Sequence, residues 1–129
     1  MEILLDTHIF LWFLNKDSRL PIGIITAIRN PDNIVSLSVI SIWEATIKHQ
    51  LGKLPLPESP EIYLTEQRKR HGIDSLSITE NTIKELIHLP NIHRDPFDRL
   101  LICHAKEKKL VFISQDPLVL KYLEVEFFQ

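Results

Sequence analysis

Four acidic residues, Asp6, Glu44, Asp98 and Asp116, stand where an α/β chain would rather not place charge. Asp6 and Asp116 follow apolar runs of strand character, Ile3-Leu4-Leu5 and Val111-Phe112-Ile113. Glu44 and Asp98 fall on the apolar stripes of helical patterns. Carboxylates gathered at one edge of a sheet repel each other, and a divalent cation is the usual reason to tolerate them there. A donor set of carboxylates without a histidine cluster suits Mg²⁺ or Mn²⁺ rather than zinc. The six histidines, at positions 8, 49, 71, 88, 93 and 104, show no metal-ligand spacing. The chemistry expected is metal-assisted hydrolysis, and a phosphodiester is the substrate that suits it.

Each acid also has an ordinary structural explanation. Asp6 is a good N-cap for a helix starting at Thr7. Glu44 lies between Trp43 and Ile47 on a stripe formed by Ile40, Trp43, Ile47 and Leu51. It is either a buried ligand or a stripe-edge side chain paired with Lys48 one turn on. Asp98 shares a face with Phe97, Leu101, Ile102 and Ala105, yet an acid in a first helical turn is also favoured by the helix dipole. Asp95 precedes Pro96 and reads as the N-cap with proline at N1. Asp98 is therefore taken as the ligand and Asp95 as the cap. Asp116 precedes Pro117, and a capping role there does not exclude metal contact. His93 and Arg99 flank Asp98 closely enough to touch a phosphate or an acid, or to make surface contacts.

The elements that must position these acids alternate. Short strands are expected at 2–5, 34–37, 73–78 and 110–114, with an edge strand near 125–128. Helices are expected at 7–14, 21–30, 38–51, 61–71, 79–89 and 95–108, with a short one from Asp116-Pro117. Ser38 and Thr79 are placed to cap, and Gly52 and Gly72 to end, the helices beside them. Alternation of this kind argues a mostly parallel sheet with helices on both faces. In such a sheet, strand ends and the helix starts after them meet at one edge. The prolines at 55, 57 and 60 make a connector too short to separate two folding units, so residues 1–129 are expected to form a single domain.

Composition narrows the class. The 129 residues are 44% hydrophobic and 25% charged, which suits one ordinary core. No apolar run approaches the roughly 18 residues of a membrane span, and the N-terminus lacks a signal-peptide pattern, so a cytoplasmic protein is expected. Cys103 is the only cysteine, which excludes an internal disulfide and a cysteine zinc cage. The net charge of −2 is no basic footprint. Basic residues cluster locally at 68–71, 93–99 and 106–109, which permits a nucleic-acid groove or simply solvated helix faces. There is no GxGxxG, P-loop, HExxH or GxSxG, so dinucleotide folds, P-loop NTPases and the corresponding hydrolases are set aside.

The motifs Leu4-Leu5-Asp6-Thr7-His8, Ser41-Ile42-Trp43-Glu44, His93-Arg94-Asp95-Pro96-Phe97-Asp98-Arg99-Leu100-Leu101 and Ile113-Ser114-Gln115-Asp116-Pro117, in this order, resemble the PIN-domain family. Within it they look most like the VapC-type toxins of type II toxin–antitoxin pairs. The last motif in the family more often reads Thr-x-Asp, and Ser114 keeps the hydroxyl. The resemblance covers essentially the whole chain and implies a three-layer α/β/α, PIN-like domain with a mostly parallel, roughly five-stranded sheet. It implies a Mg²⁺- or Mn²⁺-dependent endoribonuclease leaving a 5′-phosphate and a 3′-hydroxyl, with Asp6, Glu44, Asp98 and Asp116 as the acidic set.

Beside that set, Thr7 and Ser114 are expected to hydrogen-bond ligand carboxylates or water. Arg94 and Arg99 are expected to contact backbone phosphate. The resemblance also implies a homodimer and a cognate antitoxin. The apolar first helix, with Ile9, Phe10, Trp12, Phe13 and Leu14, offers surface for such contacts, although ordinary burial accounts for most of it. The alternative function is a catalytically silent module that binds RNA or a protein partner. A haloacid-dehalogenase-type phosphatase needs a second Asp two residues after the first, and His8 stands there. A response-regulator receiver needs a phosphoacceptor at the third strand, which residues 73–78 do not supply.

Overall fold

The computed structural model describes residues 1–129. Its five strands are β1 (Glu2–Leu5), β2 (Ile34–Ser38), β3 (Asp74–Leu76), β4 (Val111–Ile113) and β5 (Glu126–Phe127). They form one sheet in the order β3-β2-β1-β4-β5, and every pairing is parallel. Six α-helices connect them: α1 (Thr7–Asn15), α2 (Ile22–Arg29), α3 (Val39–Gln50), α4 (Pro60–Arg70), α5 (Glu80–Lys84) and α6 (Pro96–Lys108). Short 3₁₀ turns follow at Glu85–His88 and Val119–Lys121. No helix is long and apolar enough to cross a membrane.

The sheet is central because β1 is apolar on both faces. Ile3, Leu4 and Leu5 are all fully buried. Side chains alternate across a strand, so Ile3 and Leu5 point to one face and Leu4 to the other. The first face carries a core built with Ile9, Phe10 and Phe13 of α1, Ile24 and Ile28 of α2 and Leu64 of α4. The second carries a core built with Leu100, Leu101, Ile102 and Ala105 of α6 and Tyr122. These are the three layers expected, and full burial of each large side chain contributes roughly 1.5–3 kcal/mol. Cys103 lies in the second core, and burial pushes its thiol up to about 11, which fits a packing residue rather than a nucleophile.

Element ends follow their local chemistry. The Ser38 hydroxyl accepts from the Ile40 amide and caps α3. The Asp95 carboxylate accepts from the Phe97 and Asp98 amides, with Pro96 at the first helical position of α6. Gly72 takes φ 65° where α4 must turn into β3. Several expected boundaries move. Pro21 is the N-cap of α2, not its first residue. The helix from Thr79 leaves α geometry after Lys84 and tightens to 3₁₀. Residues 117–118 form a turn, and only 119–121 coil into 3₁₀. The third strand is shorter than expected, at three residues, because it pairs only with β2 at the sheet edge.

Candidate metal centre

β1 lies between β2 and β4, so the chain leaves it in one direction toward β2 and β3 and returns on its other side with β4 and β5. This reversal opens a crevice beyond the carboxyl ends of β1 and β4, the usual ligand position in open α/β sheets. Asp6 directly follows β1, and Ser114 directly follows β4. The start of α3 brings Glu44 to the same edge, and the start of α6 brings Asp98.

Three of the four acids are withdrawn from water. Glu44 is 1% exposed, Asp6 3% and Asp98 8%. Burial raises the Asp6 carboxyl above its ordinary range. The Ser114 hydrogen bond and His8 lower it by less, and the nearby charge of Glu44 adds to the rise. The Asp98 carboxyl is pushed up to about 7, by burial first and then by the charges of Asp6, Asp95 and Glu44, against a lowering bond from His93. Asp6, Glu44 and Asp98 thus feel one another, as like charges sharing a site must.

Asp6 occupies the N-cap position of α1, yet its carboxylate makes no capping hydrogen bond. Its Oδ2 accepts from the Ser114 hydroxyl at 2.7 Å, and its Oδ1 is buried without any partner. Glu44 follows the same pattern. Its Oε2 takes Lys48 Nζ at 2.5 Å, and its Oε1 is buried and unpartnered. Glu44 is buried rather than at a stripe edge, and the pairing with Lys48 forms all the same. The stripe argument that led to it needs correction, however. Trp43 is 54% exposed and Leu51 63%, and the buried face of α3 is Ile40, Ser41, Glu44 and Ala45.

Asp98 Oδ2 lies 2.8 Å from His93 Nε2. The Asp95 amide points at His93 Nδ1 at 3.5 Å, which favours the tautomer carrying the proton on Nε2, so that the ring donates to Asp98. Asp116 is half-buried. Its Oδ1 accepts from the Leu118 amide at 2.8 Å as a cap, and its Oδ2 is 3.7 Å from His93 Nε2. His93, Asp98 and Asp116 each offer a ligand atom within 4.8 Å of the others. Asp6 and Glu44 stand outside that tight group and reach it through their charge. A cleft of about 220 Å³ opens on the Asp6 and Asp116 side, lined also by His8, Ile9, Trp12 and Gln115.

The supporting residues separate. Ser114 does what was expected, donating to Asp6 and accepting from the Asp116 amide at 3.2 Å. The Thr7 hydroxyl does not bond a carboxylate. Buried, it donates to Ser41 Oγ at 2.8 Å and ties α1 to α3. Arg94 is exposed. Arg99 departs from its expected phosphate role, because its guanidinium donates to Pro90 O, His93 O and the Tyr122 hydroxyl. Tyr122 in turn accepts from the His93 amide and donates to Pro90 O. Arg99 and Tyr122 therefore fix the loop that presents His93. Sequence reasoning gave Tyr122 no role, since an isolated aromatic residue after a turn carries no spacing signal.

Residues 3–122 match the family model described as PIN domain. A curated relative, ribonuclease VapC16 of Mycobacterium tuberculosis, is 41% identical over 46 residues, which cover 36% of this chain and 33% of the relative. The match thus spans about a third of the length of that relative. The crystal structure of VapBC2 from Rickettsia felis bound to a DNA fragment from their promoter is similar at TM-score 0.73 and 16% identity, covering 99% of this chain and 98% of that one. VapBC-1 from nontypeable Haemophilus influenzae is similar at TM-score 0.73 and 17% identity, covering 99% and 97%. At these identities the likeness is one of fold.

Proposed function

Because this chain belongs to the PIN domain family, we propose that it is a divalent-metal-dependent endoribonuclease, with Asp6, Glu44 and Asp98 holding Mg²⁺ or Mn²⁺ and Asp116 assisting. The observation that carries this reading is the pair of dry, unpartnered oxygens, Asp6 Oδ1 and Glu44 Oε1. Buried carboxylate oxygens without donors cost several kcal/mol unless a cation or hydrogen bonds satisfy them. An all-oxygen pair of this kind fits a hard cation, and such an ion supplies Lewis acidity for activating water and offsetting charge on a scissile phosphate.

The chain's own residues orient the ligands. Ser114 holds one oxygen of Asp6 and leaves the other without a partner. His93 fixes Asp98 and stands beside Asp116, while Arg99 and Tyr122 hold the loop that carries it. Arg94, exposed on that loop, is the remaining arginine for backbone phosphate.

We take residues 1–129 as one nuclease domain acting in the cytoplasm as the toxin of a toxin–antitoxin pair, homodimeric and blocked by its antitoxin. The likeness to VapBC2 of Rickettsia felis and VapBC-1 of Haemophilus influenzae supports this role. The test is cleavage of a structured RNA pool by purified protein with Mg²⁺ or Mn²⁺, beside EDTA and Asp98→Asn controls. Cleavage lost in both controls is expected. A folded wild type that binds RNA or a partner but cuts nothing would replace this reading with the silent binding module. Light scattering on the eluted peak checks the dimer.

A further inference from the structure

Each buried acid of the centre has one oxygen held from within the fold. Asp6 Oδ2 is held by Ser114, Asp98 Oδ2 by His93 and Glu44 Oε2 by Lys48. Ser114 is a neutral donor. Lys48 brings a full charge. It sits one turn beyond Glu44 on α3, half-buried, with its ammonium against an acid that is 1% exposed. Water reaches the ammonium, whose side chain is 35% exposed, but not the carboxylate it holds, so Lys48 acts as a compact cation seated on a buried acid.

Resting on the metal-centre reading above, we infer that Lys48 takes the place of a second metal ion and limits the centre to one divalent cation. The charges agree with this. Three carboxylates and one ammonium leave two negative charges, which one divalent ion neutralises. A second ion would leave the buried cluster strongly positive. At Glu44 it would also have to share Oε2 with an ammonium already seated there. The oxygens left open, Asp6 Oδ1 and Glu44 Oε1, are enough to begin one coordination shell, completed by Asp98 and water. Without Lys48, one ion would leave a negative cluster and a free Oε2, the conditions for a second. Asp116, half-exposed, adds its charge equally in both cases.

The test is Mn²⁺ binding to the full chain without RNA, followed by calorimetry and by the electron-spin signal of free Mn²⁺. One ion is expected for the wild type and for Lys48→Arg, and two for Lys48→Met. Lys48→Gln, which keeps a hydrogen bond to Glu44 without the charge, serves in place of the methionine variant should that fail to fold. Two ions in the wild type, or one ion in the neutral variants, overturns the inference. A wild type that binds two ions and still cleaves RNA leaves the nuclease reading standing. One that binds none removes both.

Discussion

At the scale of single residues, the acids of this centre are stored at a cost. Asp98 illustrates it, since burial and its acidic neighbours raise its carboxyl from 3.8 to about 7. A raised folded-state value means that stability present at low pH is lost as pH rises through it. Asp98→Asn keeps an acceptor for His93 and removes the charge. In metal-free protein at pH 8 the variant is expected to be more stable by about 1–2 kcal/mol, after discounting for partial solvent access, with cleavage abolished. Urea unfolding reads this, and the difference should shrink toward pH 5, where wild-type Asp98 is already protonated. An equal gain at both pH values would show that repulsion is not the cause. The four acids were legible in the sequence because charge on an apolar pattern is conspicuous. The bonds of Ser114 and Lys48 were legible as options, from a hydroxyl after a strand and a spacing of four. The duties of Arg99 and Tyr122 were not, since they depend on how the 89–93 loop lands.

At the scale of elements, a polar contact ties the helix that carries Asp98 to the N-cap of the helix that carries Glu44. His104 of α6 is fully buried, and its Nδ1 lies 3.0 Å from the Ser38 hydroxyl that caps α3. Burial lowers its proton affinity below the ordinary 6.5. Such a group contributes stability above pH 6.5 that is lost as pH falls through its folded value. The His104 contribution should therefore decline between pH 7.5 and pH 5, against the gain from Asp98, and His104→Gln should remove that decline from the pH profile while costing about 1 kcal/mol at pH 7.5. An unchanged slope in the variant would remove His104 from the account. The helices were largely legible from caps and period, as Ser38, Asp95 and Gly72 show. The orientation of α3 was not, because its exposed Trp43 mimics a core residue. Trp43 stacks edge-on against Phe97 with ring centroids 4.9 Å apart, so two surface aromatics satisfy each other at the rim.

At the scale of the whole molecule, a bound ion should act as a staple between elements. Mn²⁺ at a hundredfold excess over its Kd is expected to stabilise the wild type by about 2–3 kcal/mol, and Asp6→Asn to respond far less. Thermal melts with and without metal decide it, and equal shifts in both proteins would place the ion elsewhere. The alternating pattern made the parallel sheet legible. The placement of β4 beside β1, which creates the crevice, rests on which apolar strands pair across great sequence distance, and no local motif encodes that choice. It carries a further meaning for synthesis. The Ser114–Asp6 bond links residues 108 positions apart, so Asp6 is made early and oriented late. A growing chain still short of β4 has neither the crevice nor the hydroxyl that aims Asp6. On the nuclease reading, the ribosome making this protein is therefore not exposed to a finished cutting site until nearly all of residues 1–129 have emerged.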